Sequence, residues 1–183
     1  MSTTFTRFAS PLGELVLTAS DTALTGVYFP TSSYGAPPGA PPLRDAERGS
    51  GAGVGREDDG HSPASELLAR ACRQLAEYFA RARTTFDLPL DPPGTAFQRR
   101  VWDALRTIPY GATTSYSELS RRLGDPNATR AVGAANGKNP IPIIVPCHRV
   151  VGARGELTGF GGGLDRKRWL LEHEGALMEL GRG

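Results

Sequence analysis

Cysteine, histidine and arginine stand consecutively at Cys147, His148 and Arg149, directly after the apolar run Ile143-Ile144-Val145 and Pro146. A thiol attacks carbon only as the thiolate, and near its reference pKa of about 8.5 it is only a few per cent ionised at neutral pH. An adjoining imidazole can take its proton, so the pair has the makings of an activated nucleophile. A structural cysteine would normally have apolar neighbours on both sides. The other cysteine, Cys72, falls in such a setting, on a helical stripe of Leu68, Cys72, Leu75 and Phe79, and reads as an inert core thiol. Glu174 is the third chemical candidate. A helical segment from Leu164 to Ala176 sets Lys167, Leu170, Leu171 and Glu174 on neighbouring positions, which turns Glu174 partly inward. A carboxylate there needs a partner, which His148 or Arg149 could supply; the alternative is an exposed charge at a helix end.

Clear helix punctuation surrounds these residues. Thr95-Ala96-Phe97-Gln98 is a capping box, opening a helix expected to bury Phe97, Val101, Leu105 and Ile108 before Pro109-Tyr110-Gly111 ends it. Ser115-Tyr116-Ser117-Glu118 is a second box, and Gly124 closes its short helix. Asp125 is read as the cap of a third helix, with Pro126 at its first position and Gly137 just past its end. Two short helices separated by a glycine turn match a helix-turn-helix. The exposed face of the third helix carries Asn127, Arg130, Ala131, Ala134 and Lys138. The small residues of this helix, Gly133, Ala134 and Ala135 among them, permit either close packing inside the protein or close approach to a nucleic-acid groove. Asn139-Pro140-Ile141-Pro142 cannot continue a helix, so the chain is expected to run extended to Cys147.

The first half is different. Phe5 to Ala9, Glu14 to Thr18 and Leu24 to Phe29 read as a small antiparallel meander, separated by Ser10-Pro11-Leu12-Gly13 and Ser20-Asp21-Thr22. Residues 31–62 lack periodicity and read as a flexible surface loop, followed by a helix capped by Ser62 with Pro63 at its first position. Thr84 to Gly94 reads as the connection, giving domains at 1–90 and 91–183. The net charge of +2 is unevenly spread: residues 1–90 carry 8 Arg against 10 acids, whereas Arg99 to Arg149 holds eight basic residues against three acidic ones. That excess suits a polyanion, or simply a solvated basic face. No apolar run approaches the roughly 18–20 residues of a membrane span, the first residues, with Arg7 but no apolar segment after it, do not read as a secretory signal, and two cysteines are too few for a disulfide framework. A reducing, cytoplasmic setting is expected. His61, His148 and His173 show no zinc-ligand spacing with the cysteines, so no metal and no cofactor are expected.

Pro146-Cys147-His148-Arg149-Val150, preceded by Asn139-Pro140, resembles the active-site signature of the O6-alkylguanine-DNA alkyltransferases, also called methylated-DNA–protein-cysteine methyltransferases. The resemblance runs from about Gly94 to Gly175 and includes Ser115-Tyr116, Arg130-Ala131-Val132-Gly133 and Gly159 to Leu164. In the first half it rests on Ser10-Pro11-Leu12-Gly13-Glu14-Leu15. It implies an α+β chain: a small ribonuclease H-like sheet domain, then a mostly helical, winged-helix-like domain with the helix-turn-helix. It implies a monomer that binds double-stranded DNA from the minor groove and repairs O6-alkylguanine, and O4-alkylthymine with it. Cys147 would be the permanent alkyl acceptor, His148 its base through a bridging water, and Glu174 the group that orients His148. Asn139 would brace the turn between reading helix and active site. Arg130 would fill the gap left by the extruded base, and Tyr116 would displace the 3′ phosphate and hydrogen-bond the flipped guanine. Thr114, Ser115, Asn127, Ala131 and Ala134 would complete the DNA face. Val150, Phe160 and Gly161 would line the base pocket; Phe160 and Gly161 stand where some members have tyrosine and serine, which implies a more open pocket. The zinc ligands of some members are absent from this sequence.

Two competing classes remain at the level of the residues. A cysteine hydrolase built on Cys147 and His148 would turn over many times and would need an oxyanion hole, for which the sequence gives no separate signal. A non-catalytic lesion sensor of the same fold would lack the acceptor thiol, which Cys147 supplies. A transcription regulator would need an added metal-binding domain that this chain is too short to hold.

Overall fold

The computed structural model describes residues 3–29, 55–57 and 60–177. The chain forms two compact units, Met1–Pro93 and Gly94–Gly183.

In the first unit, β1 (Thr3–Ser10), β2 (Gly13–Ala19) and β3 (Leu24–Tyr28) are successive antiparallel neighbours. Ser10 closes the first hairpin: its hydroxyl donates to the Gly13 carbonyl at 2.6 Å and accepts from the Leu12 amide. β2 is an inner strand, and every residue from Leu15 to Ala19 is buried. A strand covered on both faces needs no polar alternation. The sheet also has a member the sequence did not announce. β4 (Gly55–Glu57) pairs parallel to β1, giving the order β3-β2-β1-β4. It lies inside the stretch 31–62 expected to be loop; most of the rest of that stretch falls outside the described residues. Three residues reading Gly-Arg-Glu carry no period-two signal, and what recruits them is the open backbone edge of β1.

α1 (Pro63–Phe79) packs on this sheet. Ser62 caps it, with its hydroxyl accepting from the Ser65 amide, and Pro63 occupies the first turn. Its buried stripe holds Leu68 and Leu75 as expected, with Ala71 and Tyr78 in place of Cys72 and Phe79. Cys72 is therefore only half-buried, and Phe79 lies at the margin, stacked on Phe8 with centroids 6.3 Å apart.

In the second unit, α2 (Ala96–Leu105) begins at the expected capping box, with Thr95 and Gln98 exchanging side-chain and backbone bonds. Its buried face is Val101, Trp102 and Leu105, continued by Ile108, whereas Phe97 is exposed. The indole wins that place because it has area to bury and a partner for its N–H, the Ala135 carbonyl at 2.8 Å. α3 (Tyr116–Arg122) has half of its expected box: Ser115 Oγ accepts from the Glu118 amide, but the Glu118 carboxylate turns to Arg121 and Arg122. Gly124, at φ +86°, ends the element.

α4 (Thr129–Gly137) starts later than expected. Asp125 Oδ1 accepts from the Asn127 amide and its carbonyl accepts from Ala128, so residues 125–128 form a turn with Pro126 inside it. Asp125 thus caps a turn rather than the helix, because its short side chain competes for nearby amides. Gly137 is the last helical residue rather than the one beyond it.

The connector to the nucleophile is also a turn rather than an extended run. The Val145 amide donates to the Ile141 carbonyl at 2.9 Å, and Ile143 sits at φ +73°, a costly conformation for a β-branched residue. Proline excludes helix there but leaves tight turns open. A short 3-10 helix, Cys147–Arg149, follows. β5 (Thr114–Ser115) and β6 (Val150–Val151) then pair in parallel, tying the start of α3 to the residue just beyond that 3-10 helix. α5 (Leu164–His173) packs against it and completes the unit.

Candidate active site

Asn139 builds the floor. Its amide nitrogen donates to the Val145 carbonyl at 2.8 Å and its oxygen accepts from the Ile141 amide at 3.0 Å, so one side chain pins both ends of the turn. Cys147 emerges from that turn buried, at 4% exposure. Burial pushes its thiol up from the ordinary value, against opposing effects of a hydrogen bond from Asn139 and the charge of Lys167. The resting side chain is therefore a protonated thiol, and ionising it requires a base.

The titratable neighbour in sequence is His148. His148 is fully buried and its Nε2 lies 2.8 Å from Glu174 Oε1. Arg149 grips the same carboxylate through Nε and Nη2, each at 2.9 Å, and donates from Nη1 to the Ile108 carbonyl at 2.6 Å. Burial alone would raise the Glu174 carboxyl. The bonds and charges from His148 and Arg149 outweigh it and hold Glu174 well below the usual carboxylate range. Glu174 is thus ionised, which fixes the His148 tautomer: Nε2 carries the hydrogen and Nδ1 is left as a lone-pair acceptor. Burial lowers the imidazole's own pKa, with Glu174 acting against it. His148 is neutral at rest and can accept a proton at Nδ1.

A second cluster borders the thiol. Lys167, with no exposed surface, donates from Nζ to the Val150 carbonyl at 2.5 Å and the Thr158 carbonyl at 2.6 Å, and reaches Tyr116 Oη at 3.5 Å. Tyr116 itself donates to the Thr158 carbonyl at 2.8 Å. Burial lowers the Lys167 pKa to about 8, partly offset by the charge that Cys147 can carry. Because Lys167 also satisfies the Thr158 carbonyl, Tyr116 can redirect its hydroxyl without leaving that oxygen bare. Gly159 fits here closely: it has φ +60°, and a Cβ on it would come within 3.3 Å of Tyr116 Oη.

The remaining expected residues fall in two places. Arg130, Ala131 and Ala134 lie on the exposed face of α4, with Asn127 exposed in the turn before it. Val150 is buried in β6, and Phe160 and Gly161 are half-buried on the loop between β6 and α5. Two expected DNA contacts are occupied otherwise. Thr114 is buried in β5 opposite Val150, and the Ser115 hydroxyl is engaged with the Glu118 amide and Ser117 Oγ. The position in β5, a two-residue strand with no periodicity to read, is what hides Thr114. Lys167 and Asn136, whose amide nitrogen lies 3.5 Å from the Cys147 carbonyl, were missed as neighbours of Cys147. The signal for Lys167 was present: a lysine on the inward stripe of an amphipathic helix calls for buried acceptors. For Asn136, within a run of small helical residues, the sequence held no comparable signal.

Fold and site together define a protein that holds a buried cysteine, with a buried histidine–carboxylate pair next to it, on the turn that follows a pair of short helices. Family models agree: the ribonuclease-like domain of the 6-O-methylguanine DNA methyltransferases matches residues 4–92, and their DNA-binding domain matches residues 96–176. A methylated-DNA–protein-cysteine methyltransferase of Mycolicibacterium paratuberculosis is 47% identical over 165 residues, covering 90% of this chain and 88% of its own. One from Mycobacterium bovis is 59% identical over 113 residues, 62% of this chain and 68% of its own. The crystal structure of the Mycobacterium tuberculosis O6-methylguanine methyltransferase superposes with a TM-score of 0.77 at 44% identity, covering 95% of this chain and 93% of that one. A structure of the Mycobacterium tuberculosis protein in complex with DNA gives 0.76 at 43% identity, over 96% and 94% of the two chains. This chain belongs to the O6-methylguanine-DNA methyltransferase family.

Proposed function

We infer that this chain repairs O6-alkylguanine in double-stranded DNA by moving the alkyl group once and irreversibly onto Cys147. The observation that carries the reading is the buried Cys147 served by a neutral His148 whose tautomer is set by an ionised Glu174. Displacing guanine from an alkyl carbon calls for a soft thiolate, and this arrangement generates one where it is used. The thiol proton passes through a water to His148 Nδ1, and the imidazolium so formed is held by Glu174. Sγ then bonds the alkyl carbon as the carbon–O6 bond breaks, and the bonding pair leaves on guanine. Tyr116 and the Gly161 amide stabilise that departing charge by hydrogen bonding, and the base regains a proton in place of the one the thiol gave up.

O6 is hidden in a stacked duplex, so the nucleotide must be flipped, at a cost of a few kcal/mol. Arg130, exposed on the first turn of α4, fills the vacated stack from the minor-groove side, and the small Ala131 and Ala134 let the helix approach closely. Phe160 and Gly161 leave room for alkyl groups larger than methyl, and the pocket takes O4-alkylthymine as well. The product is a thioether that none of these residues can cleave. A protein that spends its thiol works where thiols stay reduced, which fits the cytoplasm.

The test is an intact mass after incubation with an oligonucleotide containing O6-methylguanine. The expected result is a gain of one methyl on Cys147, capped at one equivalent and absent in Cys147→Ser. Multiple product equivalents per chain would instead identify a hydrolase, and a folded protein that gains no mass would be a sensor.

A further inference from the structure

Two buried polar atoms in the second unit, Asn136 Oδ1 and His148 Nδ1, make no hydrogen bond within the protein. Asn136 is 1% exposed and lies in the last turn of α4. Its amide nitrogen lies 3.5 Å from the Cys147 carbonyl, whose carbon is bonded to the His148 nitrogen. That contact fixes which way the side chain points. A carbonyl can only accept, so the NH2 group faces Cys147 and the orphan atom is the amide oxygen, an acceptor. The His148 tautomer set by Glu174 makes Nδ1 an acceptor too. Two buried acceptors without a protein partner therefore sit on the residue that contacts the Cys147 carbonyl and on the residue that follows Cys147, and leaving either one dry is costly. Another acceptor cannot satisfy them. A water can: it offers two hydrogens and keeps two lone pairs free for an S–H donor.

We propose that Asn136 is a positioning residue for proton transfer, its Oδ1 holding the water that links the Cys147 thiol to His148 Nδ1. This rests on the alkyl-transfer reading above and assigns a residue to it. The step balances: the S–H bond breaks, its proton goes to the water, and a hydrogen of the same water goes to Nδ1. The water's second hydrogen stays on Asn136 Oδ1, which fixes the molecule's orientation throughout. The products are a thiolate at Cys147 and an imidazolium at His148 facing Glu174. The other ionisable groups acting on His148 are Arg149, which is bound to Glu174, and Lys167, which is held by backbone carbonyls. Asn136 adds no charge to this set and acts by geometry alone.

The experiment uses the full chain and free O6-benzylguanine, which needs no flipping, so changes in DNA contact by α4 do not enter. Asn136→Leu keeps the size and removes the acceptor; Asn136→Asp keeps an oxygen in the same place. The rate of Cys147 benzylation is followed by intact mass from pH 6 to pH 10. For Asn136→Leu the expected result is a loss of about tenfold or more at neutral pH, a fraction of the contribution typical of general-base catalysis. That loss shrinks as alkali ionises the thiol directly, and Asn136→Asp recovers a substantial part of it. A loss equal at every pH, or an unchanged rate, overturns the proposal. If Asn136→Leu does not fold, a high-resolution crystal structure of the wild-type chain decides. An ordered water within hydrogen-bond reach of both Asn136 Oδ1 and His148 Nδ1 is expected, and its absence overturns the assignment. A wild-type chain that takes no alkyl group would instead defeat the underlying reading.

Discussion

At Lys167 a buried ammonium faces three oxygen atoms and a thiol, and its charge has two uses. It favours the thiolate of Cys147, and it steadies Tyr116 Oη as that hydroxyl turns toward substrate. Both uses end when the lysine loses its proton, which burial brings down to about 8. Transfer to free O6-benzylguanine should therefore rise with pH as the thiol ionises and level off above about pH 8, where loss of the lysine proton offsets further ionisation of the thiol, a break that stopped kinetics by mass would trace. Lys167→Met should lower the rate at neutral pH by about tenfold or more and remove the break near pH 8, so that the rate goes on rising as the thiol ionises. A Met variant with the wild-type profile would mean that the lysine is only structural. Glu174 gives a prediction of opposite sign in pH. Its folded-state pKa lies below the ordinary value of 4.5, so it contributes stability that is present above that value and is lost as pH falls below it. Thermal melts should show wild-type Tm dropping progressively below about pH 4.5. Glu174→Gln should be less stable at neutral pH by about 3–5 kcal/mol, the cost of stranding a buried partner charge, and its Tm should fall less on acidification.

The helix pair α3–α4 is where DNA would be met, and its residues divide by task. Arg130 is exposed and is not involved in holding the unit together, so Arg130→Ala should leave the melt unchanged. It should slow repair of duplex DNA much more than reaction with free O6-benzylguanine, because only the duplex has a stack to refill. Equal slowing of both reactions would move Arg130 into the chemistry. How well these elements could be read from sequence depended on whether local chemistry decided them. The Thr95–Gln98 box and the Ser62–Pro63 start were legible because a cap acts over three residues. The start of α4 was not, because the Asp125 carboxylate is engaged by the Asn127 amide inside a turn that precedes the helix. Trp102 displaced Phe97 from the core for a reason fixed far away in sequence, at the Ala135 carbonyl. β4 and β5 are two or three residues long and exist only through their partners β1 and β6. In the site, Cys147 and His148 stood out by residue type, whereas helical spacing left Glu174 either turned inward or exposed at a helix end, and the fold buries it. The buried acceptors around Lys167 and the orphan oxygen of Asn136 depend on where carbonyls end up after folding, which no local pattern encodes.

At the scale of the whole chain, charge is segregated: the first 90 residues are slightly acidic, and the excess of basic residues sits between Arg99 and Arg149, the stretch that holds both the helix pair and the nucleophile. A polyanion would therefore be drawn to the unit that must act on it, and drawn in a way that salt weakens. Each phosphate neutralised by an arginine or lysine releases condensed counterions, so log affinity falls linearly with log salt, with a slope of about −0.9 per contact on duplex DNA. Four such contacts would lower binding by more than about a hundredfold between 50 and 200 mM salt. Reaction with free O6-benzylguanine has no phosphates to lose. Its reacting groups are buried, where screening by mobile ions is weak. At subsaturating DNA, then, the duplex repair rate should drop steeply across that range while the free-base rate changes by less than about twofold. Arg130→Ala should reduce the steepness of the duplex curve by at most about one contact, because a side chain inserted in the stack is not primarily a phosphate ligand. Parallel salt curves for duplex and free base would show that the basic stretch is no more than a solvated face, and that DNA is engaged through some other surface.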